Sequence, residues 1–145
     1  MSDFIVSAIP KTMIDVIWGK VHPHIIRPIE LSHGEVTEEE VRKSLSSGKT
    51  MLIVISEGED IIAVNTLDVR IFDSGKRVLY IPLTGGDKLD LWMPKFLDVA
   101  KAIARDYRCE ELRGLAVRKG WMKKLAPMGW EEVHTVISCN VGEVS

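Results

Sequence analysis

Few side chains in this sequence have the type and setting for chemistry. Tyr80 is one of two phenols and stands in the apolar run 77–83, where a phenol that faces a cleft holds a proton for transfer. Asp68, inside a long apolar run, and His134, alternating with apolar residues in 130–140, are further candidates for moving protons; each also reads as a structural residue. Leu83-Thr84-Gly85-Gly86-Asp87-Lys88 joins a strand to a helix. Two glycines let the backbone approach a ligand closely, the helix start offers unpaired N–H groups, and Lys88 adds positive charge, all features of an anion site. The same stretch also reads as a plain turn capped by Asp87 or Asp90. Arg118-Lys119 lies beyond a strand end and fits a phosphate or a partner protein; the alternative is a solvated helix start with Trp121 and Leu125 packed inward. His22-Pro23-His24 brings no companion Cys or carboxylate at ligand spacing, so it reads as a turn and no metal is expected. Cys109 and Cys139 form no C-x-x-C pair and are expected to be reduced, half-buried side chains.

The elements that must position these residues follow from periodicity. After Pro10, Met13, Ile14, Ile17, Trp18 and Val21 form one helical stripe over 11–20. Pro23 and Pro28 predict a break, with 22–32 irregular. Thr37 and Glu40 make a capping box for a second helix that carries Val41 and Leu45 inward and stops at Gly48. The period then changes. Residues 50–56, 61–72 and 77–83 read as three strands joined by short turns at 57–60 and 73–76, hence an antiparallel meander. Thr84-Gly85-Gly86-Asp87 ends it. A long helix to about Tyr107 repeats Leu89, Trp92, Met93, Phe96, Leu97, Ala100, Ile103 and Ala104 at core spacing, and it must begin near Asp90 for Pro94 to be tolerated. A strand over 112–117, a short helix over 119–126 and a last strand over 130–140 complete the order α-α-β-β-β-α-β-α-β. The fold class is α/β (α+β): a mixed, mainly antiparallel sheet with helices on both faces, in one domain spanning residues 1–145.

Composition bounds the function. The 145 residues are 46% hydrophobic and 28% charged, which describes a folded domain with a real core. Nineteen basic against 21 acidic side chains give no basic excess, so bulk nucleic-acid binding is not expected. No apolar run reaches the ~18 residues of a membrane span, and the start Met1-Ser2-Asp3-Phe4 lacks the pattern of a signal peptide, so an intracellular protein is expected.

The order of elements, with Met128-Gly129-Trp130 entering the last part of the sheet, resembles the GNAT (N-acetyltransferase) superfamily. The chain is most similar to GNAT-like proteins of tailed phages, through Trp18-x-x-Val21-x-Pro23, Gly48-Lys-Thr-Met-Leu52, Gly86 and Trp92, Ala104-Arg105 with Cys109, and Arg118-Lys-Gly120-Trp121-x-x-x-Leu125. This resemblance implies acetyl-CoA held at Leu83, Thr84, Gly85, Gly86 and Lys88, with Arg118 at the lip, and a splayed sheet centre beside Tyr80. It also exposes departures. No Arg or Gln leads the loop, its glycine spacing differs, Asp87 sets a negative charge beside an anion, and Leu125 stands where many of these enzymes place a Tyr acid. Two functions are therefore expected. The first is a catalytically degenerate, virion-associated or assembly protein that binds a phage structural or host protein, made in the host cytoplasm and carried in the virion. The second is an atypical acetyl-CoA-dependent N-acetyltransferase acting on an amine of a host or phage molecule. A cleft plugged by Trp92 or Leu91 favours the first, and an open, positively lined one favours the second.

Overall fold

The computed structural model describes residues 3–116 and 120–143. Strand β1 (Phe4–Ile9) precedes a 3-10 turn at Lys11–Met13, helix α1 (Ile14–Glu30) and helix α2 (Glu38–Ser47). Strands β2 (Met51–Glu57), β3 (Asp60–Ile71), β4 (Arg77–Ile81) and β5 (Thr84–Gly86) follow, then α3 (Leu89–Asp106), β6 (Glu111–Gly114), α4 (Trp121–Leu125) and a 3-10 turn at Ala126–Met128. The sheet runs β1-β2-β3-β4-β6, with β5 on β3, and every pair is antiparallel except parallel β4–β6. This is the expected mixed, mainly antiparallel sheet. Helices α1 and α2 cover one face around Trp18, Val21, Ile25, Leu45 and Val64. On the other, α3 packs Trp92, Phe96 and Ala100 onto Ile53, Leu67 and Leu79.

Helix α2 is built as its sequence dictates. Glu40 N donates to Thr37 Oγ1 at 3.2 Å, Thr37 N donates to Glu40 Oε1 at 3.1 Å, and Gly48 closes the helix in the left-handed region at φ 81°.

Four expectations are corrected. The N-terminal residues are not all helical: β1 is an edge strand, registered on β2 from Phe4↔Glu57 to Ile9↔Leu52. Six residues that precede a proline carry too little periodicity to separate strand from helix on their own. Helix α1 is not broken by Pro23 and Pro28. Ile14, Trp18, Val21, Ile25 and Pro28 recur at alternating spacings of four and three and are all buried, so burying this stripe outweighs the two lost backbone bonds. The His22-Pro23-His24 turn is accordingly a stretch of helix. Helix α3 starts at Leu89, so Pro94 lies beyond the first turn, and the cap residue is Lys88 at φ 60° with no side-chain cap; neither Asp87 nor Asp90 caps it. Finally, residues 130–143 form no strand and are mostly exposed. The apolar residues expected on alternate faces, Val133 and Ile137 against Val136, are exposed, and the segment has no ladder partner among the described residues. The alternation needed two covered faces to be realised.

Candidate active site

The centre of interest is where β4 and β6 part. Their parallel pairing runs from Val78↔Glu111 to Ile81↔Gly114 and stops. Beyond it the chain of β4 shifts toward β3. Tyr80 opposes Asp68 and Thr84 opposes Asn65, so four steps on β4–β5 face three on β3: one extra residue, a bulge at Pro82-Leu83. Thr66 N donates to Leu83 O at 2.9 Å across it. Strand β5 is hydrogen-bonded on its β3 side, and its opposite edge has no ladder partner among the described residues. A cleft of about 840 Å³ opens here, walled by Ile81, Thr84, Leu89, Met93 and Leu97 on one side and by Leu112, Leu115, Trp121 and Trp130 on the other.

Alternation along β4 sends Leu79 and Ile81 to the α3 face and Tyr80 to the opposite one. There the Arg70 guanidinium lies 3.7 Å from the centre of the Tyr80 ring, and Arg70 Nε is 3.5 Å from Asp68 Oδ1. Burial, the largest influence, pushes the Tyr80 phenol up and outweighs the pull of Arg70, so its proton is retained at neutral pH. Across the cleft mouth Glu111 bonds Arg113 and Lys76, and these two bonds, Arg113 first, hold its carboxyl below the ordinary range. His134, in the exposed 130–143 segment, also lines the cleft.

The expected phosphate loop divides. Gly85 is buried in β5 beneath α1: a Cβ there would stand 1.9 Å from His24 O and 2.8 Å from Pro28 Cγ. Pro28 has no N–H for the carbonyl of His24, four residues back, and this freed carbonyl is what presses on Gly85. Gly86, at φ 121°, would set a Cβ 2.3 Å from Ile62 O. Both glycines are thus fixed by packing, Gly85 against α1 and Gly86 against β3. Leu83 is buried in the α1 side of the core. Lys88 Nζ is bound to Glu57 Oε1 at 2.7 Å, and the Asp87 and Asp90 side chains are exposed at the start of α3. Thr84 alone of the loop side chains enters the cleft. Arg118 lies outside the described residues. Trp92 is buried, donating to Asp87 O at 2.7 Å, and Leu91 is exposed; neither plugs the cleft. Cys109 is half-buried and Cys139 exposed, and both are free thiols.

Sequence reasoning missed Arg70, Arg113 and Asn65. The legible signal was Asn65-Thr66, two polar residues in the middle of an apolar strand. Both are buried.

No protein-family model and no curated protein matches the sequence. Solved structures do. A predicted acetyltransferase of Clostridium acetobutylicum with acetyl-CoA aligns at TM-score 0.65 and 13% identity over 96% of this chain and 97% of its own. The aminoglycoside N-acetyltransferase AAC(6')-Iy in complex with CoA aligns at 0.67 and 11% over 98% and 97%. A GNAT family acetyltransferase of Staphylococcus aureus aligns at 0.60 and 11% over 97% and 100%. The fold is the GNAT fold. At these identities the likeness establishes the architecture alone, and the order expected from the sequence holds from α1 through α4 except for the added short strand β5, with β1 preceding α1. Among the described residues no helix is long and apolar enough to cross a membrane, and no three His, Cys, Asp or Glu side chains cluster as metal ligands.

Proposed function

We propose that the chain is an acyl-CoA-dependent N-acyltransferase whose cleft between β4 and β6 takes the pantetheine arm of acetyl-CoA. The observation that carries this reading is the outer edge of β5, which has no ladder partner among the described residues where the bulge separates it from β6. An extended chain with amide groups docks on such an edge as an added strand does, and the apolar walls Met93, Leu97 and Leu112 suit its methylenes. Acetyl-CoA, when bound, supplies an activated acyl thioester. The task of Tyr80, on the face away from α3, is to keep a proton at Oη for donation. His134, which lines the cleft, is the candidate to accept one from an amine, whereas Asp68 lies beside Arg70 and does not line it.

The second reading is a virion-associated, non-catalytic role with a phage structural or host protein as partner, and the observation that keeps it is one that weighs against the cofactor: the start of α3 presents the Asp87 and Asp90 carboxylates, while Lys88 is occupied by Glu57. That end of the cleft is a poor host for a pyrophosphate. The two readings separate in the thermal midpoint measured with and without acetyl-CoA. At ~100 times its dissociation constant a ligand stabilises by about 2.7 kcal/mol, a rise of several degrees at this size. A rise supports the enzyme, and an unmoved midpoint at millimolar acetyl-CoA sinks it.

A further inference from the structure

Val64-Asn65-Thr66-Leu67 places polar side chains in the most deeply buried stretch of β3. Asn65 is wholly buried, and its Nδ2 has no hydrogen-bond partner among the described residues. An empty N–H group in the interior is costly and rare, so it calls for a reason. The amide makes one bond: Thr84 Oγ1 donates to Asn65 Oδ1 at 2.9 Å, the two residues standing directly opposite in the β3–β5 ladder. Thr84 lines the cleft, and Asn65 supports it from the sheet.

We propose that Asn65 and Thr84 form a donor relay for a carbonyl oxygen of the ligand in the cleft. A half-turn of the Asn65 amide sets Nδ2 against Thr84 Oγ1. The hydroxyl proton, no longer needed by Oδ1, is then donated to the ligand. One of the two empty N–H donors of the ligand-free protein becomes paired, and the carbonyl oxygen, which tolerates an unfilled site better, gives up its bond in exchange. A hydroxyl that accepts one bond while donating another is the stronger donor. Thr84 touches the ligand; Asn65 is a positioning residue that acts through it. The ligand class is an extended chain bearing amide or thioester carbonyls, which rests on the acyl-CoA reading above and names the side chains that select for it.

Calorimetric titration of acetyl-CoA into the full chain tests the relay. Thr84→Val keeps the shape and removes the donor, and is expected to weaken binding about tenfold. Thr84→Ser restores the hydroxyl and should bind within about threefold of the parent. Asn65→Leu should weaken binding as Thr84→Val does, with no additional loss in the double variant, because both break one relay. If Thr84→Val binds acetyl-CoA as tightly as the parent, the relay is wrong and the acyl-CoA reading stands. If the parent itself binds no acetyl-CoA at millimolar concentration, both fall. Thermal midpoints of the same variants separate the outcomes: a merely structural pair would lower the midpoint in Thr84→Val more than in Thr84→Ser, which keeps the bond to Asn65, while Val and Ser bind acetyl-CoA equally.

Discussion

At the scale of single residues, two side chains carry opposite burdens. Gly85 is fixed by contact: with His24 O 1.9 Å from any added Cβ, Gly85→Ala must push α1 off β5. It is expected to cost about 3 kcal/mol or to prevent folding, read from urea unfolding midpoints. Tyr80 is not needed for packing in that sense, since Arg70 covers its ring from outside the core. Tyr80→Phe should leave the acetyl-CoA thermal shift intact and lower kcat about a hundredfold, followed as thiol release in the presence of an acceptor amine. An unchanged rate would remove Tyr80 from proton transfer.

At the scale of elements, α2 and its contact with α1 decide acid and cap behaviour. Thr37→Ala removes the acceptor for Glu40 N and should cost about 1 kcal/mol in chemical denaturation. Glu38, at the start of the same helix, accepts from Trp18 Nε1 at 2.8 Å and lies 2.6 Å from His22 Nδ1. These bonds, that of Trp18 foremost, hold its carboxyl below the ordinary 4.5. The folded state therefore binds this proton less readily than the unfolded one. The associated stability is complete above that ordinary value and is lost as the pH falls through the depressed one. Glu38→Gln should flatten the acid limb of stability measured from about pH 6 to pH 3; an unaltered limb would show that the bonds hold no stability. The capping box was legible in four residues because all its atoms are local. The continuity of α1 through two prolines was not, because the gain comes from Ile25 and Pro28 meeting the sheet.

At the scale of the whole molecule, two apolar layers press on one sheet, and the C-terminal segment beyond Trp130 belongs to neither. Trp92→Ala, which empties the α3 layer beside Phe96 at a ring separation of 5.8 Å, should cost about 3–5 kcal/mol. Ile137→Asp, at a side chain 89% exposed, should stay within about 0.5 kcal/mol in the same assay. A large loss at Ile137 would mean that 130–143 pairs with the sheet after all. The cleft is a property at this scale too, since its walls come from β4, β5, α3, β6 and α4.

The sequence alone determined the class of fold, the three-strand meander, the capped α2 and the core face of α3. Each of these rests on short-range periodicity, turn chemistry or a local hydrogen bond. It also pointed to the stretch from Tyr80 to Lys88. Only the tertiary structure decided what those residues do. Register places an extra residue at Pro82-Leu83 and so opens the cleft. The approach of His24 O turns an apparent phosphate-loop glycine into a packing glycine. The strand opposite sets Asn65 behind Thr84. Such outcomes depend on which atoms meet across a sequence separation of 19 for Asn65 and Thr84, or 61 for His24 and Gly85, and pattern along a chain holds no record of distance across it.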